Sequence, residues 1–243
     1  MDKKRWQEKG KGHRQRLRNR FLEYGLQNFS DDEVLELLLT FGTPRTDCKE
    51  AAREARRQFG SFSAVLEASQ EQLEEIKGIG PKNGFAIRFV QAVAGRYLRD
   101  RLQKKRYLHS STEVREYLLH SMRGLKREVF TVIYLDTSHA IIDSEVVAKG
   151  TVNVNTIYPR EIIKKALEKN AAALVVAHNH PSGAIEPSSQ DKRLTMSLSL
   201  IGQLMQIRLL DHLIIGNGCY SFADQGLMEK IKDESRSLLT TLG

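Results

Sequence analysis

Residues 171–180 read Ala-Ala-Ala-Leu-Val-Val-Ala-His-Asn-His, and this stretch constrains the fold more than any other. A short apolar run with polar residues on both sides has the length of one buried strand rather than of a helix. At the end of a strand, side chains i and i+2 point the same way. His178 and His180 therefore project together from the strand's C-terminal end, a usual place for a site in an α/β sheet. A loop with Pro181, Gly183 and Pro187 turns the chain, Ser188 follows as a helix N-cap, and Asp191 lies in the first helical turn. Two neutral imidazoles and one carboxylate make a three-ligand set for zinc, Zn2+, with the fourth position left for water. Ser188-x-x-Asp191 is also a capping box, which would look the same in a protein without a metal. The combination carries the metal reading: His-x-His, seven residues, Ser, two residues, Asp, at a strand-loop-helix junction.

The rest of the second half alternates in the manner of an α/β domain. Strands are expected over residues 128–135, 140–148, 171–177, 209–215 and 219–222, the first marked by β-branched and aromatic residues. Helices are expected over 159–169 and from Ser188, where Leu194, Leu198, Ile201 and Met205 form one stripe near period 3.6. Ser111 or Thr112 is read as capping a further helix, and the tail from Leu227 as helical before it frays. The first half reads as a compact all-α module with short connections, opened by the capping box Ser30-Asp-Asp-Glu33. The expected division is a basic arm at 1–12, a helical domain at 13–103, a mixed-sheet α/β domain at 104–227 and a tail at 228–243. The charged stretch 103–110 is read as the boundary.

Totals set limits. A chain of 243 residues with 40% hydrophobic and 28% charged residues is ordinary for a globular protein. No apolar run reaches membrane-helix length, and no signal-peptide core is present, so a cytoplasmic protein without a membrane partner is expected. Cys48 and Cys219 are unpatterned, which suits a reducing compartment. Of the net charge of +8, +7 falls in residues 1–20, which hold nine Lys/Arg against Asp2 and Glu8. Such an arm holds phosphates by charge alone, or simply stays solvated.

Residues 76–88 read Ile-Lys-Gly-Ile-Gly-Pro-Lys-Asn-Gly-Phe-Ala-Ile-Arg. Helical residues lead into Gly78-Ile79-Gly80, and a second helix starts near Pro81. This resembles the helix-hairpin-helix DNA-binding motif. Glycines let a backbone approach a phosphate, and N–H groups at a helix N-terminus attract anions. The reading gives Lys77, Gly78, Gly80 and Lys82 to nucleic acid, with Arg88 able to add charge and Ile79 as the apolar plug. Such contacts hold backbone without reading bases. A plain helical turn with a glycine stop has the same pattern.

His178-x-His180-Pro181-x-Gly183-x-x-x-Pro187-Ser188-x-x-Asp191 resembles the JAMM (MPN+) signature of zinc-dependent isopeptidases. With Leu210-Asp211-His212, Tyr158-Pro159-Arg160-Glu161, and Gly150-Thr151 after Glu145, the chain is similar to the RadC branch of that superfamily, from about Arg14 to Gly226. The resemblance implies a cytidine-deaminase-like α/β fold and a hydrolase of the metallopeptidase type. It gives Glu145, on an upstream strand, the water-holding role, where the residues alone leave Glu145, Glu161 and Glu186 open. It gives Ser188 the oxyanion. Asn179 departs from the pattern, since many JAMM proteases have Ser or Thr there. The expected function is a zinc-dependent hydrolase of a peptide or protein, associated with DNA and with DNA repair or processing. The rivals are a DNA-binding accessory protein with a structural metal domain and a metal-dependent nuclease.

Overall fold

A computed structural model describes residues 12–43, 46–102, 107–150 and 157–242. The basic arm before Gly12, residues 103–106 of the expected boundary and Thr151 lie outside the described residues. The chain separates into two compact units, Met1–Ala94 and Gly95–Gly243. The division falls inside a helix, ahead of the charged stretch read as the boundary, because charge alone does not stop a helix and good helix formers run on to Leu102.

Unit 1 is helical: α1 (His13–Tyr24), α2 (Asp31–Leu39), α3 (Lys49–Phe59), α4 (Phe62–Glu67), α5 (Gln70–Glu74) and the first part of α6 (Pro81–Leu102). Short helices of this kind gain from explicit starts, and α2, α4 and α5 have them. Ser30 and Glu33 form a full capping box on α2, Ser61 caps α4, and Ser69 and Gln72 form a second box on α5. Leu35, Leu39, Ala52, Val65, Leu73, Ile76, Ile79 and Ile87 make one buried core. The turn between α5 and α6 is held by Asn83. Its side-chain oxygen accepts from the Gly80 N–H (2.6 Å) and the Gly84 N–H (3.1 Å). Its amide group donates to Thr43 Oγ1 (2.8 Å) and the Gly78 carbonyl (3.0 Å). Gly78 has φ +96°, and a Cβ there would stand 3.1 Å from that of Ala51, so the turn needs glycine.

Unit 2 is built on a five-stranded mixed sheet. Its strands are β1 (Glu128–Leu135), β2 (Ile141–Gly150), β3 (Ala173–Asn179), β4 (Arg208–Ile215) and β5 (Cys219–Ser221), in the order β2-β1-β3-β4-β5. Only β3 and β4 are parallel, joined across α9 (Ser189–Leu204). On one face Phe130, Val132, Tyr134, Leu174, Val176 and Ile214 pack with residues of α8 (Pro159–Glu168), α9 and α10 (Leu227–Leu242). On the other, Ile133, Leu135, Val175, Ala177 and Leu213 pack with Val114, Leu118 and Met122 of α7 (Tyr107–Met122). The result is a helix–sheet–helix sandwich with β3 buried on both faces.

The fold departs from the sequence expectations at three places. The central strand lies two residues later than expected, so His178 and Asn179 belong to it. Both are paired in the ladder with β4, and His178 also with Phe130 of β1. Helix α7 begins at Tyr107, which anchors it by donating to Asp211 (3.3 Å), so neither Ser111 nor Thr112 is a cap. The C-terminal segment is not an appended tail: Met228, Ile231 and Ser235, at helical spacing, are buried, the first two in the core and Ser235 against Ser199 of α9.

Candidate metal centre

The site forms where β3 ends and α9 begins. β1 continues past the last residue of β3 and β4 ends level with it, and the His180 N–H still bonds to the Ile215 carbonyl at 2.8 Å. His180 therefore keeps the alternation of the strand and faces the same way as His178. The chain then turns through Gly183, which has φ +83° and sits under Asn217. Ser188 caps α9, so Asp191, three residues on, is carried back toward the strand end.

His178 Nε2 lies 2.9 Å from His180 Nε2 and 3.2 Å from Asp191 Oδ1, and His180 Nε2 lies 3.6 Å from Asp191 Oδ2. These three residues form, among the described residues, a group that could share one metal ion. Zinc ligands about 2.0–2.2 Å from the ion stand about 3.3–3.6 Å apart at tetrahedral angles. The observed separations bracket that range.

The far side of each ligand is also fixed. Nδ1 of His180 is 3.2 Å from the Ala184 carbonyl, which can only accept, so Nδ1 carries the proton and Nε2 is left as the ligand atom. Nδ1 of His178 is 2.8 Å from His212 Nε2, and His212 Nδ1 is 2.7 Å from Thr195 Oγ1. The Thr195 hydroxyl donates to the Asp191 carbonyl at 2.6 Å. Protons fill this chain in one direction: His178 Nδ1 donates to His212, His212 to Thr195, and Thr195 to the backbone, which leaves Nε2 as the candidate ligand atom of a neutral His178. His212 is fully buried, and burial followed by the neighbouring His178 pushes its pKa well down, so it stays neutral. Burial works against the Asp191 carboxylate, but hydrogen bonds from His178, His180 and Ser188 outweigh it and hold the group well below the usual range. The same Asp191 hydrogen bond, opposed by burial, raises the pKa of His180.

The Ser188 hydroxyl is engaged in the capping box. It donates to Asp191 Oδ2 at 2.6 Å and accepts from the Asp191 N–H at 3.1 Å, while the Ser188 N–H adds a bond of 2.7 Å to Oδ2. Ser188 still lines the cavity beside the triad, which measures about 190 Å³ and is also bounded by Phe130, Ile157 and Gln190.

Glu145 is not brought to the triad. It pairs across β1 with Val132, level with Val176 rather than His178, and its carboxylate is ion-paired with Lys165 of α8. Two strands at about 4.8 Å each and two residues at about 3.3 Å each separate its backbone from that of His178 by roughly 11–12 Å. Glu161, on α8, pairs with Arg160, and Glu186 stands in the loop before α9.

Besides Asp191, the acid that lines the cavity among the described residues is Glu128, at the start of β1. β1 runs antiparallel to β3 with Phe130 opposite His178, so the same register two places on sets Glu128 level with His180. Its charge is felt there, as one of the contributions that raise the His180 pKa. Among the described residues Glu128 has no ion-pair partner, unlike Glu145. Sequence reading passes over Glu128 because it opens an apolar strand, where an acid reads as a terminus. The usable signal is arithmetic on the strand register, which needs the pairing of β1 with β3.

Asn179 explains its own departure from the family pattern. It is buried between the histidines on the opposite face, where its oxygen accepts from the Val129 N–H at 2.8 Å. Its amide group donates to the Leu125 and Arg127 carbonyls at 3.3 and 3.2 Å. A serine or threonine has too few hydrogen-bonding groups to fill all three places. The Asp211-His212 pair also resolves into two tasks. His212 backs His178, and Asp211 accepts from the Ser221 hydroxyl (2.6 Å) and the His212 and Ala223 N–H groups (2.8 and 2.9 Å), joining β4 to the chain beyond β5.

At the other candidate site, Lys77 and Lys82 are exposed and a Cβ on Gly80 would meet nothing within 4 Å. The Gly80 N–H, however, is spent on Asn83.

Comparison with known proteins places these features. Residues 108–227 match the RadC-like JAB domain, and residues 9–84 match the UPF0758 N-terminal family. A UPF0758 protein of Actinobacillus succinogenes is 40% identical over 209 residues, covering 86% of this chain and 95% of the relative. Similar proteins in Pseudoalteromonas translucida and Pasteurella multocida are 39% and 38% identical, covering 88% and 87% of this chain and 96% and 95% of their own length.

Proposed function

This chain belongs to the UPF0758 family and its second half carries a RadC-like JAB domain, of the metallohydrolase superfamily; from that premise we propose that it is a zinc-dependent hydrolase of amide bonds. The observation that carries the reading is the convergence of His178, His180 and Asp191 at the wall of a cavity that also holds Glu128. A structural zinc site is closed by a fourth side chain, whereas among the described residues three converge here. Zinc held by these ligands would lower the pKa of a water and polarise a carbonyl.

The chain's own residues supply the rest. When neutral, His178 and His180 present bare Nε2 atoms, because Nδ1 carries the proton on each. Glu128 is the general base: it takes a proton from water in the cavity and returns it to the leaving nitrogen. Ser188 fixes the carboxylate of Asp191, and its hydroxyl serves a developing oxyanion only by giving up that bond. No long apolar helix crosses a membrane among the described residues, and Cys48 and Cys219 are free. The same reading sets the protein in the cytoplasm, acting on a protein or peptide.

The test is metal analysis of the purified protein followed by a peptide-cleavage screen with single-residue variants. Wild type is expected to hold one zinc per chain, and His178→Ala none. Glu128→Gln should keep the zinc and lose about 10²- to 10⁴-fold in turnover, the usual worth of a general base. Glu145→Gln should stay within a few-fold of wild type. The opposite ranking of the two glutamates would move the base to β2. Stoichiometric zinc with no cleavage across the library would end the hydrolase reading in favour of a structural metal domain.

We further infer that unit 1 contacts nucleic acid, as a helix-hairpin-helix module would, with the basic arm assisting. Exposed Lys77 and Lys82 on either side of the turn, and the close backbone approach allowed at Gly80, support this. Binding should be insensitive to sequence and weaken steeply with salt.

A further inference from the structure

Unit 1 carries a groove of about 1020 Å³ whose walls include Arg14 and Arg18 of α1, Phe41 after α2, and Pro81, Lys82 and Phe85 of α6. Phe41 is 66% exposed and Phe85 62%. Phe85 is also stacked on Phe89, with ring centres 5.8 Å apart and planes 20° apart, and Phe89 is 56% exposed. Rings this exposed add little to the unit's core, which is complete without them. They are held firmly nonetheless. A Cβ on Gly42 would stand 2.4 Å from the Lys82 carbonyl, so the loop carrying Phe41 lies directly on the start of α6. Asn83 then ties Thr43 of that loop to the 78–80 turn.

Cations and open aromatic faces therefore line the same rigid groove. That pairing distinguishes two kinds of nucleic-acid ligand. A duplex keeps its bases stacked inside and offers phosphates, leaving Phe41 and Phe85 unused. An unpaired strand offers both phosphates and free base faces, and stacking on aromatic rings tolerates any sequence. The Gly80 N–H, which would serve a duplex phosphate, is already bonded to Asn83. We propose that this groove binds unpaired nucleic acid, with bases stacked on Phe41 and Phe85 and phosphates on Arg18 and Lys82. The proposal rests on the reading that unit 1 contacts nucleic acid, and narrows it.

The experiment is fluorescence anisotropy of the full chain with labelled oligo(dT) of about 16 nucleotides, a length within the range of single-strand sites, and with a duplex of equal length. The single strand should bind at least about tenfold more tightly. Phe85→Ala and Phe41→Ala should each weaken single-strand binding about tenfold and duplex binding less than about twofold, and Phe85→Trp should retain it. Both side chains are exposed, and circular dichroism will show that the variants fold. Arg18→Ala with Lys82→Ala should reduce the salt slope on the single strand by about 1.4. If the duplex binds as tightly as the single strand and the phenylalanine variants change nothing, this inference falls and nucleic-acid contact by unit 1 stands. If neither binds at low salt, both fall.

Discussion

Two helix starts in this chain use the same device to different ends. At α9 the Ser188 N–H is accepted three residues on by Asp191, at 2.7 Å. At α6 the Gly80 N–H is accepted three residues on by Asn83, at 2.6 Å. Both acceptors are buried and both fix a loop against the helix that follows. They differ in what remains. Asn83 has spent every group it has, on Gly78, Gly80, Gly84 and Thr43. Asp191 has spent one oxygen on the cap and faces His178 with the other, still bearing its charge. Capping is common to both places. The chemistry belongs to the group whose bonding capacity is left over, aimed at partners that need it.

The strongest way to break this comparison is to exchange the two acceptors. Asp191→Asn keeps the shape and the cap but removes the charge. Zinc affinity should fall more than about 100-fold, since even an outer hydrogen-bond partner is worth 10- to 100-fold. A chelator-competition titration measures it, and near-wild-type affinity would refute the ligand assignment. Asn83→Asp keeps the acceptor but leaves the Gly78 carbonyl and Thr43 facing an oxygen. It should cost about 1–3 kcal/mol in urea unfolding, the cost of unsatisfied buried groups, and leave zinc untouched.

A smaller effect is expected one bond further out. Thr195→Val removes the end of the proton chain that orients His212 and, through it, His178. Zinc affinity should drop about 10- to 100-fold, and Thr195→Ser should restore it. An unchanged affinity would mean that the buried His212 is packing alone.

The sequence alone shows some of these residues and hides others. The strand-loop-helix junction, the triad and the Ser188 cap are legible because each rests on local spacing: two along a strand, three into a helix. Unit 1 is legible for the same reason, through serine caps and glycine stops. What escapes is whatever depends on pairing between distant segments. Glu128 is invisible until β1 is laid against β3, and His212, although the sequence marks the Asp211-His212 pair, has no assigned partner until α9 is folded over β4. The strand end is misjudged by two residues because polar His178 and Asn179 look like loop, while neighbours on both sides keep them in the sheet. The length of α10 is missed because Met228, Ile231 and Ser235 show a helical stripe that only the core makes necessary.

A pH series probes the charge that Asp191 has left over. Its carboxyl is held low, so the stability it contributes is present above the unfolded value of about 3.9 and is lost as pH falls below that. His180 is held high by the same contact, so its contribution is present below about pH 6.5 and is lost as pH rises through the raised folded value. The metal-free protein should therefore melt at a lower temperature at pH 8 than at pH 6. Zinc affinity should move the other way over that interval, because the ligand must shed its proton to bind. His180→Gln should flatten both trends. A metal-free melting temperature that rises from pH 6 to pH 8 would contradict the ion pair.

The smallest effect concerns the two glutamates, where the distinction between spent and unspent groups applies again. Glu145 is committed to Lys165, and both side chains are about one-third exposed (35% and 36%). An ion pair that open to water is worth at most about 1 kcal/mol. Glu145→Gln should shift the urea midpoint slightly and leave zinc content and cavity chemistry alone. Repeating the measurement in high salt should erase even that shift, since screening weakens exposed pairs first. A large loss of stability, or any loss of zinc, would mean that Glu145 reaches further toward the triad than its pairing with Val132 allows, and that the spent group is Glu128.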